Sequence, residues 1–138
     1  MKTSRAVACA LAIGLCACGS DSSTTPPQPT LSSIQTEVFN NSCTFSACHN
    51  DDSAQGNLRL TSGNSFSQLV NVSAFNSAAA AAGKLRVVPG DPDNSFLIQK
   101  LEGPSADEGT RMPQTSGFLP QATIDVIRHW ITNGAQDN

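Results

Sequence analysis

Apolar residues in this chain gather at helical spacing near both ends of a polar, loop-rich middle. Ile34, Val38 and Phe39 recur on one face and predict a first helix beginning near Leu31. Ser32 or Ser33 is the expected cap, Glu37 lies in the early turns, and the helix should end around Asn40-Asn41. Ile124, Ile127 and Ile131, at i, i+3 and i+7 with Trp130 broadening the face, predict a last helix opened by Pro120 and closed by Gly134. Between them, Asn57-Leu58-Arg59-Leu60 alternates and reads as extended, with Leu58 and Leu60 on one side. Phe66, Leu69 and Val70 predict a short helix capped by Asn64. Ala78–Ala82 reads as one helical turn or a surface loop without chemistry, and Lys84–Val88 as extended. Asp91 as cap, Pro92 at the first position and Asp93 beside the positive dipole end start a helix running to Leu101, which Gly103-Pro104 stops. Ser105–Gly117 is a polar loop. The expected fold is mainly α: a small domain with its terminal helices packed together, and short helices and long loops between.

The N-terminal residues follow a different pattern. Residues 1–17 read as an export signal: Lys2 and Arg5, then the apolar run Ala6–Cys16, too short to span a bilayer. Leu15-Cys16-Ala17-Cys18 resembles the lipobox of bacterial lipoproteins, which implies lipid on Cys18. Gly19 after it favours outer-membrane sorting, so the expected location is the bacterial cell envelope, lipid-anchored, facing the periplasm or the cell surface. Residues 18–30 form a Ser/Thr/Pro tether with no apolar residues to bury, and residues 31–138 form the domain. The membrane is then touched through the N-terminal lipid only.

Beyond the signal, six basic residues face eleven acidic ones, a net charge of −5. That argues against nucleic acid, which selects basic faces. With no Tyr and one Trp the core is thin, and a buried cofactor would help to fill it. There is no phosphate-binding glycine loop and no serine-nucleophile elbow.

Cys9 and Cys16 leave with the signal and Cys18 is the lipid site, so Cys43 and Cys48 remain as a pair in an exported chain, where bare thiols acquire a covalent fate. They stand as Cys43-Thr44-Phe45-Ser46-Ala47-Cys48-His49. Two thiols followed by an imidazole are what covalent haem attachment needs: the sulfurs add to the two vinyl groups and the histidine reaches the iron. The usual spacing has two residues between the cysteines, and here there are four, so the extra residues must loop out. The turn up to Gly56-Asn57 can supply a carbonyl to the His49 Nδ1–H. Met112, in a polar loop before Pro113, is the candidate distal ligand, because a thioether beside an imidazole favours ferrous iron. His129 falls off the apolar stripe of the last helix and is expected at the surface, Trp130 is expected in the core, and Arg59 and Arg111 are expected as surface arginines.

Taken with Gly56-Asn57-Leu58-Arg59-Leu60, Val87-Val88-Pro89-Gly90-Asp91-Pro92, Met112-Pro113 and Ile127-x-x-Trp130-Ile131-x-x-Gly134-Ala135, the cysteine motif resembles small c-type cytochrome-like domains of exported bacterial lipoproteins. The resemblance covers Leu31 to Ala135. It implies a cytochrome c-like fold, one covalent haem c on Cys43 and Cys48, and His49 and Met112 as axial iron ligands. It also implies single-electron transfer between protein redox partners rather than catalysis. Other readings stay open on the residues alone. One is a non-catalytic envelope binding lipoprotein with a Cys43–Cys48 disulfide and no haem, one a peroxidase-like haem enzyme with Met112 off the iron, and one zinc at Cys43, Cys48, His49 and His129.

Overall fold

The computed structural model describes residues 27–138. The export signal, Cys18 and the tether as far as residue 26 lie outside the described residues.

Thr30 is extended and its Oγ1 accepts the Ser33 amide, so the first helix is capped by Thr30 and not by Ser32 or Ser33. The reason is burial: Leu31 joins the core, which commits Leu31 onward to helical geometry and leaves Thr30 as the last non-helical residue. Leu31–Ile34, Gln35–Phe39 and Asn40–Ser42 follow without a break as helix α1, the middle stretch being π-helical. Leu31, Ile34, Val38 and Phe39 are buried. Gln35 is buried with them because its amide is satisfied: Nε2 donates to the Leu60 carbonyl (2.8 Å) and to Asn40 (2.7 Å), and Oε1 accepts the Ser65 hydroxyl.

Four further helices follow: α2 (Ser65–Leu69), α3 (Ser77–Ala81), α4 (Phe96–Glu102) and α5 (Gln121–Thr132). Short 3-10 turns lie at Gln55–Asn57 and Ala106–Glu108. No strand forms among the described residues; isolated bridges pair Val70 with Val87 and Leu85 with Ser95. Pro120 occupies the N-cap of α5, and Ile124, Ile127, Trp130 and Ile131 are all within 1% of complete burial. α1 and α5 pack against each other, and the main-chain carbonyl and side chain of Asn138 accept the Ser32 and Leu31 amides at the start of α1. Leu60, Leu69, Val87, Ile98 and Leu101 complete the core.

Two helix starts differ from the sequence expectation. Asn64 precedes α2 without capping it: its backbone is helical rather than extended, and its side-chain NH2 donates to Asp51 and Thr61. Asp91 closes a turn onto the Asn94 amide (3.2 Å), and α4 begins only at Phe96. Ser95 accepts the Val88 N–H (2.9 Å) and donates to the Asp91 carbonyl (2.8 Å), which holds it extended and delays the helix. Gly103, at φ 135°, then stops α4 in a region closed to most L side chains. The alanine run does form one short helix, α3, with Asn76 as cap, but Ala79 is fully buried against Phe96 rather than at the surface.

Candidate functional site

Helix α1 ends at Cys43, whose φ of −121° leaves the helical region. Cys43 N–H still bonds the Phe39 carbonyl (2.9 Å), and Thr44 N–H shares it (3.1 Å). A tight turn follows, with Cys48 N–H on the Phe45 carbonyl (2.8 Å). His49 N–H then donates back to the Cys43 carbonyl at 3.0 Å. That bond closes the loop. The extra residues form a turn that leaves Phe45 exposed, while its two ends return to each other. Both cysteines are free thiols.

His49 is held by the extended segment after the Gln55–Asn57 turn. Its Nδ1 lies 3.3 Å from the Leu58 carbonyl, and its own carbonyl accepts the Leu60 amide (2.8 Å). A carbonyl only accepts, so Nδ1 carries the proton and Nε2 keeps its lone pair. The acceptor is Leu58, one residue beyond the expected Gly56-Asn57 turn, while the carbonyls of Gly56 and Asn57 accept from Arg86 (3.1 and 2.9 Å).

Met112 comes from the Ser105–Gly117 loop, which is fastened to the end of α4. Met112 N–H donates to the Lys100 carbonyl (2.7 Å) and Arg111 Nε to the Leu101 carbonyl (2.6 Å). Lys100 Nζ donates to the Glu108 carbonyl (3.0 Å), and the Glu108 carboxylate pairs with Lys84. Met112 itself packs against the core.

Cys43, Cys48, His49 and Met112 all line one cavity of about 910 Å³. Phe39, Leu58, Leu69, Leu97 and Ile127 give it apolar walls. The volume lies in the upper part of the ~300–1,000 Å³ range typical of ligand pockets. A haem needs apolar walls, thiols for its vinyl groups, an imidazole with a free nitrogen and, for a closed iron, one further soft donor. The residues of this cavity fit that set.

Burial favours the neutral forms of Cys43 and His49. Burial, with the nearby Cys48 adding to it, pushes the Cys43 thiol up to about 12. Burial also lowers the His49 imidazole below its usual range, against the bond to Leu58, and the charges of Arg86 and Lys100 lower it further. Neutral imidazole is the form that binds metal.

The other sequence candidates lie elsewhere. His129 is exposed on α5, away from the cavity wall, and Trp130 is a core residue with Nε1 on the Gln136 carbonyl (2.8 Å). Neither Arg59 nor Arg111 lines the cavity; Arg111 stacks over Phe118, 4.2 Å from the ring centre. Arg86 does line it and escaped the sequence reading. Its one signal is a charge inside the apolar run Leu85–Val88. No group of three or more His, Cys, Asp or Glu side chains among the described residues is gathered to hold a bare metal ion.

No curated protein and no solved structure matches the chain. A family model described as Planctomycete cytochrome C matches residues 46–115, just over half of the 138 residues. The match takes in Cys48, His49 and Met112 and begins three residues after Cys43. The match places the chain in the planctomycete cytochrome C family, as a cytochrome c-like domain of the kind that carries covalent haem c and transfers electrons, and the helical fold and the cavity are compatible with it.

Proposed function

We propose that the protein is a monohaem c-type cytochrome that passes single electrons between protein partners in the bacterial cell envelope, tethered by lipid on Cys18. In this reading Cys43 and Cys48 hold the haem by thioether bonds, His49 Nε2 is the proximal iron ligand and Met112 Sδ the distal one. The observation that carries it is the loop closure from His49 N–H to the Cys43 carbonyl, which gathers both thiols and the imidazole on one cavity wall despite the long spacing.

The haem, when bound, supplies the one-electron couple of its iron. The chain's residues do the rest. The Leu58 carbonyl orients the imidazole and sets its tautomer. Phe39, Leu69, Leu97 and Ile127 exclude water, which strengthens every charge interaction in the cavity. Met112 would supply a thioether donor that favours the reduced iron and would leave less room for a peroxide, so transfer rather than peroxidase chemistry is expected. Phe45 and Phe75 are exposed, Phe75 on the cavity wall, and provide apolar surface for a protein redox partner. No helix among the described residues is long and apolar enough to cross a membrane, and the lipid on Cys18 is the proposed attachment.

The reduced-minus-oxidised spectrum and intact mass of the exported protein test this. A Soret band that survives acid-acetone extraction and a mass increased by one haem are expected, and Cys43→Ser/Cys48→Ser should release the pigment. A colourless protein two hydrogens lighter than the reduced chain would instead establish the disulfide. Radiolabelled fatty acid should enter the wild type and not Cys18→Ala.

A further inference from the structure

Arg86 is only 7% exposed, and none of the ion pairs among the described residues includes it. Buried cations are ordinarily paired with an acid. This one is met by carbonyls alone: Nη1 donates to Gln68 (2.8 Å), and Nη2 to Gly56 (3.1 Å) and Asn57 (2.9 Å). Its own main chain is pinned on both sides, N–H to the Val72 carbonyl (2.7 Å) and carbonyl to the Leu97 amide (2.9 Å). The guanidinium is thus presented from a fixed platform to the turn that precedes Leu58. That turn needs holding. Ala54, Gly56 and Asn57 have φ of 40°, 63° and 50°, a left-handed region that Ala and Asn occupy at a cost.

We propose that Arg86 is a positioning residue for His49. It fixes the Gly56-Asn57 turn that delivers the Leu58 carbonyl to the imidazole, and it places an uncompensated positive charge in the wall His49 shares. The inference rests on the haem reading above. The step concerned is the transfer of one electron from a one-electron donor to the iron, with no bond made or broken. The oxidised site carries one positive charge more than the reduced site, so a fixed buried cation favours reduction.

Redox titration of the purified holoprotein tests this with Arg86→Gln and Arg86→Lys. Arg86→Gln should lower the reduced-to-oxidised ratio at a fixed potential about tenfold, ~59 mV for one electron. Arg86→Lys keeps the charge but loses the planar fork. It should retain most of the potential, yet speed hydrogen exchange at the Leu58 and Leu60 amides. An Arg86→Gln protein with a wild-type spectrum and a ratio within twofold of wild type overturns the inference, and so does an equal drop in both variants. If Arg86→Gln fails to accumulate with haem, Arg86→Lys decides: faster exchange at Leu58 and Leu60 supports the role, and wild-type exchange overturns it. Wild-type protein without haem overturns both readings, and is distinct from a coloured wild type whose potential the variants match.

Discussion

Cys43 and Met112 reach the same cavity by different local means, and each makes its own prediction. Cys43 is the residue at which α1 gives out, half-buried on the cavity wall, where desolvation with the nearby Cys48 pushes its thiol up to about 12 from an ordinary 9.0. The thiolate is the nucleophile, so haem-free, folded protein at pH 8 should alkylate at Cys43 at least about tenfold more slowly than the urea-unfolded chain. Peptide mapping after timed iodoacetamide treatment measures this, and equal rates would show that the burial does not persist in solution. Met112 is held through its own amide, independently of its side chain. Met112→Ala should therefore leave the loop in place and the haem attached, while removing the near-infrared thioether-to-ferric band and lowering the midpoint potential. An unchanged band would take Met112 off the iron.

At the scale of elements, the fastening of the Ser105–Gly117 loop to α4 is the feature that brings Met112 to the wall. Lys84 holds the Glu108 carboxyl below its usual 4.5, with the Ser105 amide assisting. The charged form is favoured in the fold. Its contribution is present above about pH 4.5 and is lost as pH falls through the lower folded value. Glu108→Gln should remove that part of the acid dependence. In acid titrations of the thioether band, the wild type should begin to lose the band only as pH falls below about 4.5, the loss completing at the lower folded value of Glu108, and the variant should show a weaker band already at neutral pH. Helix α1 offers a second test. Thr30 satisfies one orphan amide of the first turn, so Thr30→Ala should cost about 1 kcal/mol in chemical denaturation, whereas Ser32→Ala should cost little.

For the whole molecule, one set of residues serves core and cavity together. Ile127 is fully buried in the α1–α5 core and also lines the cavity, as Phe39, Val38 and Leu60 do. An open cavity of about 910 Å³ admits water when no haem fills it, and wetting apolar walls such as Phe39, Leu69 and Ile127 costs free energy in proportion to the area exposed. Without haem the walls must therefore wet or close. Haem-free protein should melt at least about 10 °C below the holoprotein, the equivalent of ~2 kcal/mol for a domain of about a hundred residues. It should also lose near-UV signal from Trp130, the single tryptophan. Trp130→Ala should cost ~3–5 kcal/mol with little change in the visible spectrum of whatever folds, since Trp130 does not line the cavity.

Periodicity alone was enough for the stripe Ile124, Ile127, Trp130 and Ile131, because a helix carries its spacing within a few residues of chain and any core will take that face. The pairing of Cys43, Cys48 and His49 was legible for the same reason: all three lie within seven residues. What the chain could not announce were contacts between distant segments. Thr30 displaced Ser32 and Ser33 as cap once packing committed Leu31 to the helix. Ser95 displaced Asp91 because Val88, seven residues back, holds it extended. Arg86 reaches carbonyls 18 to 30 residues away, so its burial leaves no local trace beyond a charge among apolar neighbours. The sequence by itself determined which groups were available for haem. Only the tertiary structure decided that the long cysteine loop closes through its own backbone, and that a carbonyl-bound arginine stands behind the histidine, because both depend on hydrogen bonds that exist only once the chain is folded.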